Sequence, residues 1–167
     1  MIVVSDNSPL QYLILIECID ALPALYGQVL TTPQVIDELR QAEAPDVVRA
    51  WVQSLPAWLK IESPLKLDFL DTIDVGEASA ISLAQERHAD LVLIDERAGS
   101  DTARRVGIQV VGTLGVLIEA GLERLIDFDG ALNLLTTKTS FYASRNLIES
   151  ATRIFQDRKQ NRPQYGE

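Results

Sequence analysis

Four acidic residues stand where a chain alternating strands and helices would expose them at one edge of a sheet. Asp6 follows the run Ile2-Val3-Val4-Ser5, and Asp95 follows Leu91-Val92-Leu93-Ile94. Glu77 falls in the first turn after Gly76, and Glu38 lies further inside a helix opened by Pro33, on the side away from Ile36. In an open parallel sheet, ligands bind beyond the carboxyl ends of the strands, so aspartates closing two neighbouring strands would share one cleft. Carboxylates gathered and buried there repel one another and lose solvation, and hard divalent cations are the usual remedy. Mg2+ and Mn2+ take oxygen ligands, and a chain with one His and one Cys offers little to softer metals. Two such ions can activate a water and stabilise both oxygens of an in-line phosphodiester displacement.

Each acid also has a plainer reading. Asp6 could order the Ser5–Pro9 turn. Glu77 could be the reciprocal cap of Asp74, in the box Asp74-Val75-Gly76-Glu77. Asp37 and Glu38 could both be a solvated helix face. Asp95 and Glu96 could be an N-cap and a first-turn acid favoured by the helix dipole. Spacing alone leaves these alternatives open.

The elements that would position the acids alternate in type. Short β-branched or apolar runs appear at 2–4, 29–30, 58–61, 91–94 and 108–111, separated by helical patterns, which points to an α/β fold with a parallel sheet. Ser8-Pro9 and Thr32-Pro33 each pair a capping residue with a first-turn proline. Helices are expected over about 46–55, from 74 through Ala84, over about 98–106 and over 114–120. Residues 62–73 form a connector, anchored by Leu65, Leu67, Phe69 and Leu70. From Glu123 onward the pattern is helical, ending in an amphipathic stretch from about Phe141 to Arg158 and a polar tail expected to fray. The organisation expected is a domain over 1–122 and a C-terminal helical extension over 123–167 packed on it.

Composition narrows the classes. A chain of 167 residues suits one domain and buries about 70% of its unfolded surface without metal or disulfide. The formal net charge is −9, with −7 carried by residues 1–75 and +3 by residues 137–167. That balance excludes a basic nucleic-acid coat protein and a polybasic membrane binder, but not an enzyme holding nucleic acid through metal. Cys18 reads as a small buried hydrophobe and His88 as a surface or helix-capping residue. No run of 18 apolar residues occurs, and the chain starts as a strand, so a cytoplasmic location is expected.

The order of the acids carries more than their spacing. Ser5-Asp6-Asn7-Ser8-Pro9-Leu10, then Pro33-Gln34-Val35-Ile36-Asp37-Glu38-Leu39, then Gly76-Glu77-Ala78-Ser79-Ala80-Ile81, then Leu91-Val92-Leu93-Ile94-Asp95-Glu96-Arg97 resembles the PIN-domain nucleases. It looks most like the small prokaryotic PIN proteins long catalogued as a domain of unknown function, described as predicted nucleic-acid-binding proteins. Arg104 to Leu117 adds to the likeness, which runs from Ile2 to about Gly121. The resemblance implies a three-layer α/β/α fold with a central parallel sheet of about five strands. It implies RNA as substrate, Mg2+ or Mn2+ as cofactor, and cleavage leaving a 5′-phosphate and a 3′-hydroxyl. Many short relatives are toxins of toxin–antitoxin pairs, as in the VapC ribonucleases, so an antitoxin partner and a homodimer are expectations too. The family's acidic quartet falls on Asp6, Glu38, Glu77 and Asp95. Asn7 stands where Thr is frequent, with Ser8 as an alternative; Thr113 and Arg97 are candidates for supporting the acids or meeting substrate phosphate.

Other classes fit less well. A module with weak or no catalysis would work through contacts such as the strip Phe141, Leu147, Ile148, Ile154 and Phe155, for which core packing is the simpler explanation. A phosphatase would want an Asp at position 8, where Ser8 stands, and a receiver domain a late strand-end lysine. No phosphate loop is present, since Gly112-Thr113-Leu114-Gly115 is too short for a dinucleotide fingerprint.

Overall fold

Five three-residue strands, all parallel, form the centre of a computed structural model that describes residues 1–163. They are β1 (Val3–Ser5), β2 (Val29–Thr31), β3 (Leu59–Ile61), β4 (Leu91–Leu93) and β5 (Gln109–Val111). The order is β3-β2-β1-β4-β5. Winding therefore proceeds outward from β1 through β2 to β3, then restarts on the other side with β4 and β5. The reversal between β1 and β4 makes their carboxyl ends the switch point of the sheet. Register there is fixed by Val3, Val4 and Ser5 opposite Leu91, Val92 and Leu93. The ladder runs one bond further, from the Asp6 amide to the Leu93 carbonyl at 2.9 Å. Central β1 and β4 are buried at every position, as a sheet covered on both faces requires.

The helices among the described residues are α1 (Asn7–Leu15), α2 (Ala21–Tyr26), α3 (Pro33–Arg40), α4 (Asp46–Val52), α5 (Val75–Glu86), α6 (Arg97–Arg105), α7 (Thr113–Leu122), α8 (Phe128–Lys138) and α9 (Arg145–Gln160). Together with the sheet they make the three-layer α/β/α arrangement expected from the sequence. Helix α5 lies directly on β1 and β4 and packs against α3 and α6. It is buried from Gly76 to Ala84, which its small residues Ala78, Ser79, Ala80 and Ser82 allow. None of the described helices is long and apolar enough to cross a membrane.

Several boundaries differ from the sequence reading. Helix α1 starts at Asn7 with Asp6 at its N-cap position, so Ser8 lies inside the first turn instead of capping it. Helix α4 stops at Val52. Helix α9 starts at Arg145, because the Ser144 hydroxyl accepts the Leu147 amide at 3.2 Å and opens the helix there. Phe141 precedes it and sets its ring edge-on to Tyr12, with centroids 5.1 Å apart. The strip divides accordingly: Phe155 is buried, Phe141 and Ile148 are half-buried on the core, and Leu147 and Ile154 face solvent. Helix α9 reaches Gln160, beyond the point where fraying was expected, and positions 164–167 of the tail lie outside the described residues. Cys18 is half-buried and its thiol is pushed up, chiefly by burial. Exposed His88 closes α5 in a left-handed conformation, φ +49°.

Candidate active site

Asp6 leaves β1 at the switch point and is 3% exposed. It occupies the N-cap position of α1 without making the capping bond. Its Oδ1 is buried and has no hydrogen-bond partner. Burial pushes the carboxyl well above the usual carboxylate range, the Asn7 amide works against that, and the charges of Glu77, Glu38 and Asp74 add to it.

Glu38 comes from α3 and is half-buried. Its neighbour Asp37 is turned outward, 4.0 Å from Arg40, so the two acids separate into an inner and an outer one. Asn7 Nδ2 donates to Glu38 Oε2 at 3.1 Å, which assigns the residue after the first acid a definite role: it holds the second acid. The carboxylate also draws on the Gly76 amide, while burial and then Asp74 raise its pKa.

Glu77 is buried in the first turn of α5. Its amide donates to Asp74 Oδ1 at 2.9 Å, so Asp74 caps α5. Glu77 Oε1 is buried without a partner. Burial first, then the charges of Asp74 and Glu96, push the carboxyl up to about 7.

Asp95 lies beyond β4 and does not cap α6, whose N-cap is Glu96. Thr113 clamps it instead. The Thr113 amide donates to Oδ1 and the Thr113 hydroxyl to Oδ2, both at 2.7 Å. Burial raises the Asp95 carboxyl, the two Thr113 bonds lower it, and Glu96 raises it.

Three glycines make room for these side chains. A Cβ on Gly76 would fall onto the Glu38 carboxylate, one on Gly99 onto Glu77 Oε1, and one on Gly112 within 2.9 Å of Asp95 Oδ1. Sequence reading missed the Gly99 contact, because it joins α6 to α5 and leaves no trace in either helix's periodicity. It also assigned Asp74 and Glu96 only to capping and the helix dipole, although both act on the buried acids. Arg97 opens α6 almost fully exposed and pairs with Asp101 at 3.8 Å. Ser8 is half-buried in α1. A separate cavity of about 1110 Å³ lies between the start of α8 and the end of α9, lined by Glu123, Arg124, Phe128, Phe155, Lys159 and Arg162. None of the four acids lines it.

A family model described as a PIN domain matches residues 2–157. The chain belongs to the PIN-domain family. The match covers the five strands and continues past Gly121 into α9, further than the motifs alone reached. Its fold is of nuclease type. No curated protein and no solved structure matches the chain.

PIN domains typically use divalent metals, and the donors here suit a hard cation. Asp6 and Glu77 each hold an oxygen that is buried and unpaired, an arrangement costly without a cation. Among the described residues, no three His, Cys, Asp or Glu side chains converge closely enough to form a ready cage.

Proposed function

We propose that this PIN domain is a divalent-metal-dependent endoribonuclease, toxin-like and cytoplasmic, with Asp6, Glu38, Glu77 and Asp95 as the carboxylates that hold the metal. The observation that carries the reading is the pair of buried, unpartnered oxygens, Asp6 Oδ1 and Glu77 Oε1, beside the β1/β4 switch point. Bound Mg2+ or Mn2+ would supply a nucleophile from water and stabilise charge on the phosphodiester oxygens. The chain supplies the rest. Asp6 and Asp95 anchor the cation, with Thr113 fixing the orientation of Asp95. Glu38, held by Asn7, and Glu77 complete the donor set and orient the attacking water. Arg97 and Ser8 meet the substrate backbone.

The test is cleavage of an RNA panel with Mn2+ and with EDTA, beside Asp6→Asn and Asp95→Asn. Each substitution removes a charge at nearly constant volume, so cleavage is expected to vanish while the fold persists. Full activity in pure D6N overturns the assignment. The spread of the acids favours one second reading, a PIN module that binds nucleic acid or an antitoxin with weak or no catalysis. A Mn2+ titration followed by melting separates the two: a site used for catalysis gains stability from the metal and cleaves, whereas an inert module need not.

A further inference from the structure

Beneath the acids runs a line of buried hydroxyls that the proposed chemistry does not use. Thr31, Thr32 and Ser79 are each fully buried. Thr31 Oγ1 donates to the Ser5 carbonyl at 2.8 Å, tying the end of β2 to the peptide just before Asp6. Thr32 Oγ1 accepts the Val35 amide at 3.2 Å and caps α3, the helix of Glu38. Ser79 Oγ donates to the Gly76 carbonyl at 2.8 Å within α5, the helix of Glu77. Between the helices, the Thr32 and Ser79 hydroxyl oxygens are 2.6 Å apart.

The direction of that last bond follows from counting protons. A hydroxyl has one proton to donate. Ser79 donates its proton to Gly76, so Thr32 must be the donor across the helices. The bonds then read one way, from the Val35 amide through Thr32 and Ser79 to the Gly76 carbonyl. Each member has its partner, and removing either hydroxyl leaves the other side short in a place water does not reach. Gly76 is the point where the line meets the site, because the space left by its missing Cβ holds the Glu38 carboxylate.

We propose that Thr32 and Ser79, backed by Thr31, are positioning residues that lock α3 to α5 and so set the spacing of Glu38 and Glu77 for metal uptake. The proposal rests on the metal-dependent reading above. Groups that orient metal ligands without touching the ion typically govern about 10–100-fold of affinity. Packing alone would predict something different: the same residues would matter to melting and leave affinity for the ion untouched.

The experiment uses the full chain. Mn2+ affinity is measured by isothermal titration calorimetry, with melting in EDTA, for wild type, Ser79→Ala, Thr32→Val, Thr32→Ser and the Val/Ala double variant. Ser79→Ala suits the helix and creates no bulk, so it keeps the test sound if Thr32→Val, which loses a cap, folds poorly. Expected are a Mn2+ Kd weakened at least about tenfold in S79A, retention of affinity in T32S, and no further loss in the double variant than in the weaker single one. An S79A protein that binds Mn2+ as wild type does, whatever its melting temperature, overturns this inference and leaves the metal reading standing. A wild type that takes up no Mn2+ overturns both.

Discussion

Glu77 carries a testable electrostatic consequence, since its carboxyl is pushed up to about 7 against an ordinary 4.5. A carboxyl raised by folding binds its proton more tightly in the folded chain than in the unfolded one. Its contribution to stability is therefore complete below pH 4.5 and is lost as pH rises through about 7. Asp6, Glu38 and Asp95 are shifted in the same direction. The metal-free protein should accordingly melt at lower temperature at pH 8 than at pH 5. Glu77→Gln removes its share of that slope, so this variant should out-melt wild type at pH 8 in EDTA and lose the gain wild type draws from Mn2+. Differential scanning across pH 5–8, with EDTA or Mn2+, checks both; an E77Q protein that melts below wild type at pH 8 contradicts the sign.

Helices α8 and α9 hold the C-terminal third through one aromatic contact more than through charge. The rings of Phe128 and Phe155 stack at 4.1 Å, and Gly121 of α7 lets Phe155 close against that helix. The ion pairs Arg158–Glu119 and Arg162–Glu123 lie in solvent, where such pairs contribute little. Phe155→Ala should therefore cost about 3–5 kcal/mol in urea unfolding, against under about 1 kcal/mol for Arg158→Ala. At this scale the sequence was readable wherever one element's own pattern carried the information. Leu91-Val92-Leu93-Ile94 announced a buried strand, Thr32-Pro33 a helix start, and the strand-end positions of Asp6 and Asp95 a shared edge. What escaped were facts about two elements at once. The seat of Glu77 against Gly99 and the bond from Thr32 to Ser79 depend on how closely helices approach, and no single periodicity encodes that. The apolar pattern of α9 extends back to Phe141, while Ser144 decides where the helix starts.

The net charge of −9 governs how the whole molecule meets a polyanion. Without metal, the acidic first half repels RNA, and Arg97 must leave its exposed pair with Asp101 to meet a phosphate. Binding of a non-cleavable 2′-O-methyl RNA should require Mn2+ and fall only about three- to tenfold between 50 and 200 mM salt, as one or two phosphate contacts would give. Fluorescence anisotropy checks this, and a drop of a thousandfold would reveal a basic groove. The contact between α7 and the end of α9 has a practical side as well. Helix α7 leaves the acidic edge at Thr113 and, over ten residues, descends about 15 Å to Leu122. The Arg162 guanidinium of the last segment is bonded to the Leu122 carbonyl there, at the opposite edge of the sheet. Met1 precedes β1 on that same side and is 79% exposed. A tether or fluorophore attached at Met1 or beside Arg162 thus leaves the Asp6 edge facing free solution, and the protein can be immobilised by either point with the acids presented outward.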